Sequence, residues 1–122
     1  MKNILTLVLL SSVVWANTVT FKGEEVTLNS KGLQIGMDAP VFTAVNKDFV
    51  EMTVGGQKDK VQVIAFIPSF DSDVCKRETF AFNEKVSKME NVILTVISKD
   101  LPFALGRFFH DNKIKNIITL SD

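Results

Sequence analysis

The hydrophobic pattern of the chain contains two nearly continuous apolar runs, at residues 61–67 and 92–97. Runs of this length predict strands that are buried on both faces of a sheet, because a strand with one face in water alternates apolar and polar positions. Pro68 ends the first run directly. A third, shorter strand is predicted at residues 116–120.

Apolar residues at helical spacing separate these strands. Phe82, Val86 and Met89 recur among lysines and glutamates, which predicts an amphipathic helix over residues 73–89. A second helix is predicted over residues 102–111. A strand, a helix and a strand in this order require a right-handed parallel crossover, and the apolar strands predict helices on both faces. The pattern therefore predicts an α/β fold with a central sheet flanked by helices.

Nearer the N-terminus, apolar and polar residues alternate along the chain. Residues 18–21 and 26–28 alternate around residues 22–25, which predicts a small β-hairpin with Gly23 in its turn. Residues 29–40 contain breakers and are expected to be irregular. After them, residues 47–54 predict a short strand and a turn, closed by two glycines.

The first 16 residues form a pattern of their own. One lysine precedes a short apolar run that ends in the small residue Ala16. This order predicts a signal peptide at residues 1–16, cleaved before Asn17. The apolar run is shorter than the roughly 20 residues that span a bilayer, so a retained anchor is disfavoured. We expect an exported protein, periplasmic if the source has two membranes, with no membrane association after cleavage.

Composition narrows the class of protein further. The chain has 122 residues, 46% of them hydrophobic, and no formal net charge, which is typical of one small globular domain. Lysines and arginines are scattered singly or in pairs, so nucleic acid is not a predicted partner. His110 is the only histidine and has no second metal-type residue at ligand spacing, which favours a surface position over a metal ligand.

Cys75 is the only cysteine, and it follows the carboxyl end of a predicted strand, where functional groups gather in α/β sheets. If Ser72 is the N-cap, Cys75 is the third helical residue, close to the unpaired N–H groups that favour a thiolate. The Ser72 hydroxyl can donate to that thiolate. The alternative is an inert buried cysteine beside a serine that only caps a helix. A dithiol–disulfide exchanger is excluded, because the chain has no Cys-x-x-Cys.

The spacing Pro68-x-x-x-Ser72-x-x-Cys75 matches the Pro-x-x-x-Thr/Ser-x-x-Cys signature of peroxiredoxins. Further segments resemble the bacterial thiol peroxidase branch of that family, and together they cover essentially residues 17–122. These segments are residues 19–28, residues 36–42, Phe82-Asn83, Ser98-Lys-Asp-Leu-Pro-Phe-Ala104 and Arg107-Phe108.

The resemblance implies a thioredoxin-like domain over residues 17–122 and a thiol peroxidase that reduces hydrogen peroxide and alkyl hydroperoxides. It implies that Cys75 is the peroxidatic nucleophile that becomes a sulfenic acid. It further implies that Ser72 hydrogen-bonds the thiolate and the peroxide, and that Pro68 shields the thiolate. The implied enzyme is a homodimer without metal or organic cofactor.

The chain departs from the family pattern at two places. The branch has its resolving cysteine just after Arg-Phe, where this chain has Phe109. We therefore expect a one-cysteine cycle, in which an external thiol, thioredoxin-like or small, or a second subunit's Cys75 removes the sulfenic acid. The chain also stops at Asp122, before the family's later strands and its pocket arginine, so we expect an incomplete sequence. The alternative function is an inactive thioredoxin-like binding or dimerisation domain, or a non-functional fragment.

Overall fold

The computed structural model describes residues 18–29, 32–114 and 116–122, and the chain divides into two compact units, residues 1–37 and 38–122. The signal peptide predicted at residues 1–16 lies outside the described residues. Within the described ranges, every helix is too short or too polar to cross a membrane.

The first unit contains the predicted β-hairpin. Strands β1 (Thr18–Phe21) and β2 (Glu24–Thr27) pair antiparallel. Lys22 and Gly23 alone connect them, with φ angles of 52° and 87°. Two positive φ angles are what a type I′ turn requires, and this turn matches the twist of the strands it joins. The hairpin and its Gly23 turn are confirmed, but the turn is two residues long rather than four.

The second unit is built on a mixed five-stranded sheet. Its strands, in chain order, are β3 (Phe42–Asn46), β4 (Glu51–Val54), β5 (Val61–Ile67), β6 (Val92–Ser98) and β7 (Ile118–Ser121). Their order in the sheet is β4-β3-β7-β6-β5. Strands β5, β6 and β7 run parallel, whereas β3 is antiparallel to β4 and to β7. The predicted parallel α/β unit is confirmed.

Two helices connect the parallel strands: α1 (Asp73–Val86) joins β5 to β6, and α2 (Pro102–Asn112) joins β6 to β7. The helical spacing in the sequence predicts that α1 ends near Met89. Instead, Ser87 forms the C-cap, and its N–H donates to the Asn83 carbonyl at 3.0 Å. Met89 lies beyond the helix and is exposed, so it does not extend the buried face of α1.

Strand β5 differs from its sequence-based prediction. Its apolar run predicts burial on both faces, but β5 is an edge strand, and Phe66 on it is 69% exposed. Strand β6, with a similar run, lies between two neighbours and is buried from Leu94 to Ser98. The two runs have the same character, so the number of neighbouring strands decides how deeply each is buried.

Strand β3 was not predicted at all. Its sequence, FTAVN, is short and carries no strong apolar run. Within the range 47–54, for which the sequence predicts a short strand and a turn, residues 47–50 form the turn that follows β3 and residues 51–54 form β4. In that turn the side-chain Oδ1 of Asn46 accepts hydrogen bonds from the N–H groups of Asp48 (2.9 Å) and Val50 (3.0 Å). Pairing with β4 and β7 is what makes residues 42–46 a strand.

Both described helices pack on the same face of the sheet. Leu94 and Val96 of β6 belong to one core cluster with Val86 of α1 and with Leu105 and Phe108 of α2. Because the chain adds β5, β6 and β7 in one direction along the sheet, crossovers of one hand place both helices on one side.

The opposite face of the sheet carries a smaller cluster of Ala44, Val54, Ile97 and Leu120. Neither helix described for residues 38–122 contributes to this cluster. The predicted central sheet flanked by helices is confirmed, but within the part of the chain that the structure describes both helices lie on one face, and the opposite face carries none.

Candidate active site

The segment that contains the cysteine lies at the carboxyl end of β5. That strand ends at Ile67, residues 68–72 form a turn, and α1 begins at Asp73. Cys75 is therefore the third residue of α1, as the sequence predicts. In this position it lies among the first-turn N–H groups, which have no acceptor within the helix, and near the positive end of the helix dipole.

Ser72 is the N-cap of α1, with extended dihedrals of φ −76° and ψ 127°. Its carbonyl accepts the N–H of Lys76 at 2.9 Å and so begins the helical hydrogen-bond ladder. Its hydroxyl, by contrast, makes no capping hydrogen bond and belongs to an exposed residue. The predicted N-cap position is confirmed, while a hydrogen bond from this hydroxyl to a thiolate or a peroxide stays a prediction.

Cys75 is a free cysteine that is only 8% exposed. It belongs to the larger core cluster, together with Phe70 and Phe108. One turn further along α1, the Thr79 hydroxyl donates to the Cys75 carbonyl at 2.8 Å. Two influences therefore oppose each other at the sulfur, because the helix N-terminus stabilises a negative charge and apolar burial disfavours it.

Pro68 immediately follows β5 and is exposed. It lines a cavity of about 260 Å³ at the carboxyl ends of β5 and β6, together with Ile67, Ser98 and other residues. Ser72 and Cys75 are not among the lining residues of this cavity. The structure thus places the three predicted site residues on one continuous segment but does not gather them around one cavity, and the shielding role of Pro68 stays a prediction.

Asp100, just after β6, holds the turn that leads to the cysteine, a role that the sequence pattern alone does not predict. Its Oδ1 accepts the Ser69 hydroxyl at 2.7 Å, and its Oδ2 accepts the backbone N–H of Phe70 at 2.7 Å. The Ser69 Oγ in turn accepts the N–H of Asp71 at 3.0 Å. A signal for Asp100 existed in the sequence, since it is an acidic residue at the carboxyl end of a strand parallel to β5.

The environment of Asp100 favours its ionised form. Partial burial raises the pKa of this carboxyl, but hydrogen bonds from the Phe70 N–H and the Ser69 hydroxyl, and one with Ser98, lower it and outweigh the burial. The pKa of Asp100 therefore lies below its ordinary value. At neutral pH the group is a carboxylate that accepts charge-assisted hydrogen bonds.

Phe70 attaches the same turn to the core. The residue is 2% exposed, and its ring centroid lies 4.4 Å from that of Phe108 on α2. The ring of Phe80 on α1 lies 6.1 Å from the same Phe108 ring. The turn is therefore held at two places, by an aromatic side chain in the core and by the carboxylate of Asp100.

The remaining candidate residues lie outside the turn that Asp100 holds. Phe109, where the family resemblance implies a resolving cysteine, is half-buried against the core cluster that contains Cys75. His110 is exposed, with its Nδ1 3.1 Å from the Asp111 carboxylate, in agreement with the predicted surface position. Arg77 and Arg107 are both exposed. Within residues 18–29, 32–114 and 116–122, no three His, Cys, Asp or Glu side chains form a group that could hold a metal ion.

The sequence of this chain is similar to proteins of one known family. Residues 35–122 match the profile described as the AhpC/TSA family. The chain is 49% identical over 107 residues to a thiol peroxidase of Aquifex aeolicus, an alignment that covers 88% of this chain and 63% of the relative. It is 41% identical over 104 residues to a thiol peroxidase of Bacillus subtilis, covering 85% of this chain and 62% of the relative. The chain thus spans less than two thirds of the length of these relatives.

A solved structure agrees with the sequence comparison. The crystal structure of a peroxiredoxin-like protein from Aquifex aeolicus superposes with a TM-score of 0.80 at 48% identity, over 88% of this chain and 63% of the other. This likeness confirms the predicted thioredoxin-like fold of the peroxiredoxins. The family profile covers most of the chain, and this chain belongs to the AhpC/TSA family of peroxiredoxins.

Proposed function

We propose that this chain is a thiol peroxidase that reduces hydrogen peroxide and alkyl hydroperoxides at Cys75. The observation that carries the proposal is the position of Cys75 as the third residue of α1, in the spacing Pro68-x-x-x-Ser72-x-x-Cys75. The family membership and the thiol peroxidase relatives support the same chemistry.

In the first step the Cys75 thiolate attacks the terminal oxygen of the peroxide. An S–O bond forms while the O–O bond breaks, and the leaving oxygen takes up a proton and departs as water or an alcohol. The sulfur is oxidised by two electrons to a sulfenic acid, and the peroxide is reduced. Ser72, whose hydroxyl makes no capping bond, donates to the thiolate or to the incoming peroxide, and Pro68 shields the thiolate.

A one-cysteine cycle completes the proposal, because Phe109 stands where the branch has its resolving cysteine. An external thiol attacks the sulfenic acid, which releases water and forms a mixed disulfide. A second thiol then attacks this disulfide, so that Cys75 is freed and the two external thiols leave as one disulfide. The enzyme would act as a homodimer, as the family resemblance implies.

The test is the intact mass of the chain before and after substoichiometric hydrogen peroxide, with no reductant present. We expect a rapid gain of one oxygen, or a dimer linked through Cys75, and a Cys75→Ser variant that does neither. A thiol that reacts no faster than free cysteine would contradict the peroxidase and favour the inactive thioredoxin-like binding or dimerisation domain.

We also propose that the protein is exported and that residues 1–16 are its signal peptide. Thiol reductants of the cytoplasm would then be out of reach, so the external thiol must be supplied outside it. N-terminal sequencing of the protein from cell fractions tests this, with Asn17 expected as the first residue of exported material. A chain that keeps Met1 in the cytoplasmic fraction would contradict the proposal.

A further inference from the structure

We propose that Asp100 is a positioning residue for the reaction at Cys75. Its carboxylate holds the turn between β5 and α1, and through that turn it fixes how Ser72 and Cys75 face an incoming peroxide. The inference rests on the proposed thiol peroxidase function. Asp100 is not one of the residues that define the Pro68-x-x-x-Ser72-x-x-Cys75 signature, and it reaches Ser72 and Cys75 only through the turn residues that it binds.

Short hydrogen bonds join the turn to Asp100. Each oxygen of the Asp100 carboxylate accepts one bond of 2.7 Å, from the Ser69 hydroxyl and from the Phe70 N–H. Bonds of this length to an ionised acceptor are in the charge-assisted range. From Ser69 the network continues towards the helix, because its carbonyl accepts the Ser72 N–H at 3.3 Å and its Oγ accepts the Asp71 N–H at 3.0 Å.

Asp100 is itself held in place. Its N–H donates to the Ser98 Oγ at 3.2 Å, and Ser98 is buried at the end of β6. The next residue, Leu101, is the N-cap of α2, and its carbonyl accepts the N–H of Leu105 at 3.2 Å. The Asp100 carboxylate therefore projects from the short connection between β6 and α2, which both pack in the core. Because this connection is held in place, the carboxylate can restrict the movement of the turn that it binds.

Packing holds Phe70 in the core, but it does not hold the exposed residues of the turn. The ring of Phe70 attaches the turn to the core whether or not Asp100 is ionised. Pro68 and Ser72, by contrast, are exposed, and no core cluster of the described residues includes them. Their orientation therefore depends on the backbone of the turn, which the hydrogen bonds of Ser69 and Phe70 attach to Asp100. Loss of the carboxylate should leave the fold in place and loosen the geometry of the site.

The experiment compares two rates at Cys75 in each variant. One is oxidation by hydrogen peroxide, which needs an oriented site, and the other is alkylation by iodoacetamide, which needs only an accessible nucleophile. The variants are Asp100→Asn and Ser69→Ala, and the matched control is Asp111→Asn, which changes an exposed carboxylate at the far end of α2.

We expect Asp100→Asn and Ser69→Ala to slow oxidation at least about tenfold, because small misplacements of reacting groups cost up to about 10²-fold. Alkylation should stay the same or become faster, since a looser turn exposes the sulfur. In the double variant the two effects should add to less than their sum, because both changes remove the hydrogen bond between Ser69 and Asp100. The control should change neither rate.

The outcomes separate the inference from the function on which it rests. A wild-type protein that oxidises rapidly, with Asp100→Asn at the same rate, would overturn the positioning role alone. Equal slowing of oxidation and alkylation would also overturn it, since that pattern marks a general structural defect. A wild-type protein that reacts no faster than free cysteine would overturn the proposed peroxidase and the inference with it. If Asp100→Asn does not fold, Ser69→Ala decides the question by the same criteria.

Discussion

Replacing Asp100 by asparagine should lower the free energy of unfolding, and the loss should depend on pH. Asparagine has nearly the same shape and keeps one oxygen that can accept the Phe70 N–H, but it removes the charge. The second oxygen becomes an amide NH₂, which cannot accept the Ser69 hydroxyl. The substitution therefore leaves a neutral hydrogen bond from the Phe70 N–H in place of a charge-assisted one. It also removes the hydrogen bond that the Ser69 hydroxyl donates to the carboxylate.

The magnitude follows from the kinds of bond involved. Hydrogen bonds to charged groups contribute about 1.5–3 kcal/mol each, and neutral ones about 0.5–1.5 kcal/mol. Asp100 is only half-buried, so water replaces part of what is lost. We expect the free energy of unfolding at pH 7 to fall by about 1–2 kcal/mol. For a domain of this size, each kcal/mol of lost stability lowers the midpoint temperature of thermal unfolding by about 4–8 °C.

The pH dependence has a definite sign. The pKa of Asp100 is lower in the folded protein than its ordinary value, so the unfolded chain binds this proton more readily. The stabilisation from this group is complete above the unfolded pKa of about 3.9. It is lost as the pH falls through the folded pKa, so the gap between wild type and Asp100→Asn should close in acid.

Urea denaturation of both proteins at pH 7 and at stepwise lower pH measures this gap, with Asp111→Asn as the control. The difference between the two proteins removes the contribution of the other carboxylates, which titrate in both. A gap that stays constant or widens as the pH falls would refute the reasoning, because it would mean that the ionised carboxylate does not stabilise the folded chain.

Two further substitutions test the packing of the second unit. Leu105→Ala removes a fully buried side chain from the core between the helices and the sheet, and it should lower the free energy of unfolding by about 3–5 kcal/mol in urea denaturation; a loss below about 1 kcal/mol would contradict this core assignment. Gly55→Ala should also lower the free energy of unfolding. A residue with a Cβ in the left-handed conformation costs about 1–2 kcal/mol, and Gly55 has a φ of 82°. The loss should exceed that cost, because the added Cβ would meet the Pro40 carbonyl oxygen at 1.9 Å. Gly32→Ala is the matched control, since its Cβ would meet nothing within 4 Å, and an equal loss in both variants would contradict the clash.

Local features of this chain could be predicted because they depend on neighbours in sequence. The hairpin follows from alternation and from a glycine in the turn, and the start of α1 follows from Ser72 at the N-cap. The position of Cys75 as the third residue of α1 needs only that start. The family signature has the same local character, because its spacing lies within one turn and the beginning of one helix.

Three features depended on residues that are distant in sequence. Strand β5 became an edge although its apolar run resembles that of β6, because only one strand pairs with it. Strand β3 exists because β4 and β7 pair with it on either side. Asp100 reaches across to Ser69 and Phe70, and such a contact is invisible until β5 and β6 lie side by side in parallel register.

The sequence by itself determined the hairpin, the segments that become β5, β6, β7, α1 and α2, the position of the cysteine in its helix, and the family to which the chain is related. The tertiary structure alone decided which strands are covered, that both helices share one face, and that an aspartate after β6 holds the cysteine turn. The physical reason is that helix capping and turn geometry act over a few residues. Burial and hydrogen bonds between separate elements arise only when the sheet brings distant segments together.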